Sequence, residues 1–317
     1  MDDRTTSASS ETIVIGIGMQ KGGVAKTTNA CHLAAALGEA GHRVLLWDVD
    51  ENYGATKVFG VPKEGFWTTM DVLTEEANVV DDCILAFDDA ELDIELPPNV
   101  DFIPSSRALQ RVNTALAAKD QFFNPNDVLR QPLEVLKALG RYRYIILDTG
   151  PHASTTTRSA YMVSDYFVLS LIPEKQAVDS LADALDDIGN ARKPGRNPNL
   201  HLLGLILSCM DRRRTLAKRY EEAIGERFRQ ANQEPVKFET TVSSAAAIDK
   251  AYHQGKTLLQ SEPSHKVAQQ YRDLAREVDE RVLRHEAQKA TEQGATTTAT
   301  APAAASPAAT SGVMANA

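Results

Sequence analysis

Cysteine is scarce in this sequence: three among 317 residues, with Cys31, Cys83 and Cys209 far apart. No CxxC pair is present, which argues against a thioredoxin-type redox pair, a cysteine-held iron–sulfur cluster and a cysteine zinc site, and fits a reducing cytoplasm. Long apolar runs are missing too. Nothing approaches the ~18–20 apolar residues of a membrane span, so a soluble chain is expected. The opening, Met1-Asp2-Asp3-Arg4 and then Ser and Thr, lacks the apolar core of a secretory signal. The seven histidines are scattered rather than grouped as metal ligands. Positive charge is in deficit, 34 Lys and Arg against 43 Asp and Glu, for a net charge of −9. Any contact with nucleic acid must then rest on a local basic patch, not on the overall field.

Apolar side chains are plentiful, at 43% of residues, enough at this length to bury a full α/β core. Short apolar runs predict strands at 12–18, 43–48, 100–103, 144–148, 166–172 and 202–208. Most are continuous, as in Tyr144-Ile145-Ile146-Leu147, which suits strands covered on both faces of a parallel sheet. Helical periodicity fills the intervals, among them 28–39, 126–138, 176–190 and 216–230. The alternation predicts an α/β fold: a doubly wound, mostly parallel sheet flanked by helices, with ligands at the strand C-termini. Val267, Tyr271, Leu274, Val278 and Val282 then predict a helix with one buried edge. Residues 1–11 read as a disordered N-terminal tail, 12–285 as the folded domain, and 286–317, rich in Ala, Thr and Pro, as a disordered C-terminal tail.

The most informative run is Gln20-Lys21-Gly22-Gly23-Val24-Ala25-Lys26-Thr27-Thr28. It follows an apolar strand and opens an amphipathic helix, so unpaired backbone N–H groups converge on the turn as an anion site. Gly22 and Gly23 leave the backbone free to close on phosphate; Lys26 can reach the β- and γ-phosphates, and the Thr27 hydroxyl can bind Mg²⁺. The strict P-loop has glycine where this chain has Gln20 and Ala25, and this loop carries a second lysine, Lys21, at its front.

Two further strands end in carboxylates. In Leu45-Leu46-Trp47-Asp48-Val49-Asp50 the acids stand two apart, on one side of the strand end. Near Mg²⁺ and a γ-phosphate, one could hold metal-bound water and the other orient the attacking water. Tyr144-Ile145-Ile146-Leu147-Asp148-Thr149 has the Walker-B form, an apolar strand closed by an aspartate that holds Mg²⁺ through water.

With these three motifs in order, the chain resembles the ParA/MinD group of deviant-Walker P-loop ATPases, and within it the ParA partition type. The likeness runs from about residue 12 to 282, all but the tails. It implies that ATP with Mg²⁺ drives formation of a sandwich homodimer, in which Lys21 crosses to the partner's phosphates. It further implies that Asp50 positions the attacking water, and that Thr27 and Asp148, with Asp48 as a further candidate, serve Mg²⁺. Gly22, Gly23, Val24, Ala25, Lys26, Thr27 and Thr28 would cradle the phosphates, and Met210 and Asp211, with the segment near Val242 and Ser243, would meet the adenine.

The resemblance also implies slow hydrolysis stimulated by a ParB-like or other adaptor, non-specific DNA binding, and a cytoplasmic, nucleoid-associated location. No membrane partner is expected. The best local basic patch is Arg212-Arg213-Arg214 with Lys218 and Arg219; a solvated helix face is the competing reading, and Lys250, Lys256 and Lys266 are rival contacts. Two departures stand out. ParA proteins usually continue the second motif as Asp-Pro-Gln-Gly-Asn, whereas this chain reads Asp50-Glu51-Asn52-Tyr53-Gly54, and Ala25 replaces a common glycine. A MinD-like membrane-surface ATPase and a metabolic ATP-dependent synthetase or amidase are the alternatives; the second predicts another polar pocket, for which the sequence has no motif.

Overall fold

The computed structural model describes residues 11–112, 127–174, 176–208, 215–230 and 237–299. The chain divides into two compact units: Met1–Val278, which holds the whole sheet, and Asp279–Ala317, whose described part is helical. The strands are β1 (Ile13–Gly18), β2 (Val44–Asp48), β3 (Val100–Ile103), β4 (Tyr144–Asp148), β5 (Tyr166–Leu171), β6 (His201–Leu207) and β7 (Lys237–Thr241). They form one sheet in the order β3-β2-β4-β1-β5-β6-β7, and every pairing is parallel. Strands β1 to β5 are buried throughout, which is why they read as unbroken apolar runs rather than alternating ones.

Two apolar clusters lie side by side on one face of the sheet, because Leu147 pairs with Gly16 and Gly16 with Phe167 in parallel register. Leu45, Trp47, Ile145 and Leu147 face one way, onto Leu133 and Leu136 of helix Arg130–Ala138. Phe167, Leu169, Leu205 and Leu207 belong to a second cluster with Leu181, Ala184 and Ile188 of helix Ala177–Ala191. Strand β1 lies between β4 and β5, so the winding reverses at its C-terminal end. That crevice is where an open α/β sheet admits a ligand.

Strand β7 was not foreseen. Among its five residues only Phe238 is a large apolar side chain, so the segment carries no apolar run to read. The last helix, Lys266–Ala299, extends past residue 286, where the tail was expected to begin. Ala287, Gln288, Lys289 and Ala290 are all good helix formers, and composition read as tail propagates helix instead. Residues 300–317 lie outside the described residues.

A charged clamp closes the opposite end of the sheet from the crevice. The fully buried Asp101 of β3 accepts from Arg43 at 3.0 Å, from Arg141 at 2.9 Å and from the Tyr142 hydroxyl at 2.7 Å. Arg43 precedes β2, and Arg141 and Tyr142 precede β4, so one carboxylate ties three neighbouring strands.

Candidate nucleotide site

After β1 the chain turns through residues 19–25 into helix Lys26–Glu39, which has no acidic residue in its first turn. Its N-terminal N–H groups and positive dipole end are left for an external anion. The Lys26 ammonium donates to the Lys21 carbonyl at 2.7 Å, closing the loop into a ring. Burial pushes the Lys26 pKa down, against the opposing pull of the Asp148 and Asp50 carboxylates. Lys21 lies at the loop's front with its ammonium 3.6 Å from Glu174.

Gly23 (φ 71°) and Ala25 (φ 63°) are both left-handed, the alternation that turns successive N–H groups into an anion-holding nest. At Ala25 the conformation explains why glycine is common there: a Cβ in this region costs ~1–2 kcal/mol. Ala25→Gly should therefore stabilise the protein by ~0.5–1 kcal/mol, less than the full strain because glycine also loosens the unfolded chain. A shift of the urea midpoint upward at constant slope is the expected reading.

The carboxylates meet because of register. Asp48 of β2 pairs with Asp148 of β4, and Asp148 in turn lies opposite Ile17 of β1, just before the loop. Both oxygens of Asp148 are buried without a hydrogen bond of ordinary geometry, the Thr27 hydroxyl offering only a weak one. Burial raises its pKa well above the ordinary carboxylate range, with Asp48 and Asp50 adding to the shift and Thr27 and Lys26 opposing it. A buried carboxylate in that condition is suited to a cation.

Asp48 is engaged differently. Its oxygens accept from the Thr56 N–H (2.9 Å), the Thr56 hydroxyl (2.7 Å) and the Asp50 N–H (3.1 Å), while burial first, and then Asp50, raise its pKa to about 7. Its geometry is that of a brace for the Asp50 turn rather than of a group held open for metal. The brace closes through Ser105, whose N–H donates to Thr56 Oγ1 at 2.8 Å and whose hydroxyl donates to the Asp50 carbonyl at 2.9 Å. Asp50, 5% exposed, accepts from the Asn52 N–H and amide at 2.9 and 3.0 Å.

Two glycines let these parts touch. A Cβ on Gly54 would stand 2.7 Å from the Thr27 hydroxyl, and one on Gly150 would stand 2.8 Å from Asp50 Oδ1. Thr27, Asp50 and Asp148 thus share one crevice with Lys26. The set fits a small hard cation and a polyphosphate: Mg²⁺ takes one or two carboxylate contacts and completes its shell with phosphate and water, not with a full protein cage. Consistent with that, no group of three or more His, Cys, Asp or Glu side chains forms a metal cage among the described residues.

A family model described as an AAA domain matches residues 12–202. The chromosome partitioning protein ParA of Caulobacter vibrioides is 31% identical over 266 residues, covering 84% of this chain and 93% of that protein. The chain belongs to the ParA/MinD family. Among solved structures, an ATP complex of Cyanothece McdA carrying one substitution matches with a TM-score of 0.70 at 19% identity, over 85% of this chain and 96% of that one. Cobyrinic acid a,c-diamide synthase from Mycobacterium smegmatis, with bound ADP and magnesium, matches with a TM-score of 0.64 at 22% identity, over 83% of this chain and 92% of that one. These structural matches speak to the shared fold.

Against the family pattern, the second motif's departure has a local form. Tyr53, where the usual pattern has glycine, is left-handed (φ 45°), and its ring lies 3.9 Å from the Lys57 ammonium. Gly54 has taken the place beside Thr27. Thr56 and Ser105 escaped sequence reading because their partners sit 8 and 55 residues away in the chain. Met210, Asp211, Arg212, Arg213 and Arg214 lie outside the described residues, as does the side chain of Lys218; Arg219 is exposed on helix Thr215–Gln230. Near the expected adenine segment, the Val242 N–H donates to the Leu207 carbonyl and the Ser243 N–H to Gln270 Oε1, each at 2.9 Å. Of the rival cations, Lys250 pairs with Glu262 at 3.1 Å and Lys256 with Glu95 at 2.6 Å, while Lys266 opens the last helix. Beside Gln20 opens a cleft of about 410 Å³ lined by Thr157, Arg158, Tyr161, Asp187 and Arg196.

Proposed function

We propose that this protein is an ATP-driven positioning switch of the ParA type. ATP with Mg²⁺ closes two copies into a sandwich dimer, the dimer binds DNA without sequence preference, and a partner-stimulated, slow hydrolysis resets it. The cargo is a plasmid, a chromosome locus or a protein assembly carried on the nucleoid. The observation that carries the reading is Lys26, bonded to the Lys21 carbonyl within the loop and close enough to the buried Asp148 carboxylate for the two charges to interact.

Lys26 and the loop N–H groups would bind the phosphates, Thr27 and Asp148 would hold the metal ion, and Asp50 would orient the attacking water. Mg²⁺, when bound, would neutralise part of the phosphate charge. Lys21 has a different task, crossing to the partner's phosphates. Its partner in the monomer, Glu174, has a side chain 63% exposed, so releasing it costs less than ~1 kcal/mol. No helix among the described residues is long and apolar enough to cross a membrane.

The DNA step follows from charge. At −9 overall, one protomer offers a small basic patch against a repulsive background, whereas a dimer offers two copies of Arg212, Arg213 and Arg214. Because the log of affinity falls with log salt in proportion to phosphates engaged, the dimer should bind more tightly and with a steeper salt slope. Gel-shift titrations across a salt series, with and without ATP, measure both. Changing the three arginines to Ala should weaken binding equally for unrelated DNA sequences and leave ATP binding intact. Tight binding without nucleotide, or wild-type binding by the triple variant, would contradict this patch as the ATP-gated contact.

The cleft beside Gln20 favours a second reading, an ATP-dependent synthetase or amidase. It would appear as ATP consumption that depends on a carboxylate substrate and is indifferent to DNA.

A further inference from the structure

Behind the loop runs a chain of hydrogen bonds that joins two helices, β5 and the residue after β6 to the loop itself. The Tyr271 hydroxyl, on helix Lys266–Ala299, donates to Asn29 Oδ1 at 2.9 Å. Asn29, on the helix that the loop opens, gives one amide hydrogen to Ser170 Oγ and the other to Ser208 Oγ, both at 2.8 Å. Ser170, in β5, donates its own proton to the Val24 carbonyl at 2.6 Å. Asn29, Ser170 and Tyr271 are fully buried, and Ser208 is 1% exposed.

The directions of these bonds are fixed. A serine has one proton, and Ser170 spends it on a carbonyl, which can only accept. The group at position 29 that meets Ser170 must therefore be the amide nitrogen, and the amide oxygen is left to face the Tyr271 hydroxyl. The tyrosine ring is held in place by His32, stacked on it at 4.5 Å between ring centroids. His32 itself is pinned: its Nε2 accepts from the Leu258 N–H at 3.0 Å, so Nδ1 carries the proton and donates to the Thr28 carbonyl at 2.8 Å. Burial pushes its pKa down to about 4, which keeps it in this neutral form near pH 7.

The end of the chain matters most. A trans peptide is planar, and its C=O and N–H point in opposite directions. Ser170 draws the Val24 carbonyl toward β5, so the N–H of the same peptide unit, on Ala25, points the opposite way, away from β5. Ala25 is also one of the left-handed residues of the nest. We propose that Ser170, held by Asn29 and in turn by Tyr271, is a positioning residue that aims the Ala25 N–H at the bound phosphate, and that the C-terminal helix thereby sets the nucleotide affinity of the loop. This rests on the reading of the loop as a nucleotide site.

The test is the dissociation constant for a non-hydrolysable ATP analogue with Mg²⁺, measured on the full chain well below each variant's melting temperature. Ser170→Ala should weaken binding about tenfold, the value of one well-aimed N–H to a charged oxygen. Saturated turnover should stay within about twofold, because the interaction is present with bound substrate as well as in the transition state. Asn29→Asp keeps shape but, when ionised, can only accept at the position that now donates to Ser170 and Ser208, pulling the Ser170 proton away from Val24, and should weaken binding at least as much. Tyr271→Phe leaves every loop group in place and is the variant to rely on should Ser170→Ala not fold; it should weaken binding about threefold, as loss of a hydrogen bond one step back from Ser170. A purely structural role would lower the melting temperature of these variants and leave the dissociation constant of the folded protein unchanged, and that result would overturn the proposal. A wild-type protein that binds no nucleotide would instead overturn the reading of the loop itself.

Discussion

Replacing Asp50 with Ala is expected to lower ATP turnover by ~100-fold or more, the usual worth of a positioned acid–base or water-orienting side chain. Nucleotide binding and dimer formation should survive, so the variant accumulates as ATP-bound dimer. The expectation rests on where Asp50 sits: nearly buried, on a turn braced by Asp48, Thr56 and Ser105, and in reach of a site bounded by Lys26, Thr27 and Asp148. Asn52 holds one of its oxygens from two sides, which fixes the carboxylate without neutralising it. Asp148→Ala should behave differently and weaken Mg²⁺-dependent binding itself, since in the proposed reading its buried oxygens would hold the cation. Single-turnover hydrolysis with pre-bound ATP separates the two. Unchanged turnover in Asp50→Ala would contradict this assignment.

Asp101→Ala is expected to destabilise the fold by ~3 kcal/mol and to leave the nucleotide affinity of the folded protein unaltered. Removing one partner of a buried ion pair usually costs ~3–5 kcal/mol, because the other charge is left without an answer in a poor solvent. Here Arg43 and Arg141 keep side-chain exposures of 28% and 41%, so water compensates them in part and the lower end of that range applies. The Tyr142 hydroxyl and the Phe87 N–H lose their acceptor as well. Asp101→Asn keeps an acceptor and should cost less. Urea unfolding gives the loss as a lower midpoint at constant slope. A loss below ~1 kcal/mol would mean that the three strands do not depend on this clamp.

The sheet was legible because its strands are covered on both faces. Residues 13–18, 44–48 and 144–148 carry unbroken apolar runs, and the carboxylates Asp48 and Asp148 mark where two of them end. The loop was legible for another reason: its chemistry is local, with Lys21, Gly22, Gly23, Lys26 and Thr27 in one stretch. What supports the site was not legible. Asn29 finds Ser170 and Tyr271 across 141 and 242 residues, and no spacing rule links positions so far apart. Ser170 sits inside an apolar strand, where a lone serine reads as a tolerated small residue until its partner, the Val24 carbonyl, is seen. The strain at Ala25 and Tyr53 was visible only as departure from pattern; the backbone gives it a cause, since both stand at left-handed positions that glycine fills without cost. Strand β7 was missed because an edge strand with a single large apolar residue offers no period to detect.

The central claim is that nucleotide converts one chain into two through the loop lysines, and molar mass in solution tests it most directly. Light scattering on the full chain with Mg²⁺ and a saturating non-hydrolysable ATP analogue should give twice the 34.5 kDa of the monomer. Lys26→Ala should lose nucleotide binding altogether, while Lys21→Ala should retain binding and remain monomeric, since Lys21 acts on the partner's nucleotide and not on its own. A wild-type protein that binds the analogue to saturation and still scatters as a monomer would contradict the account.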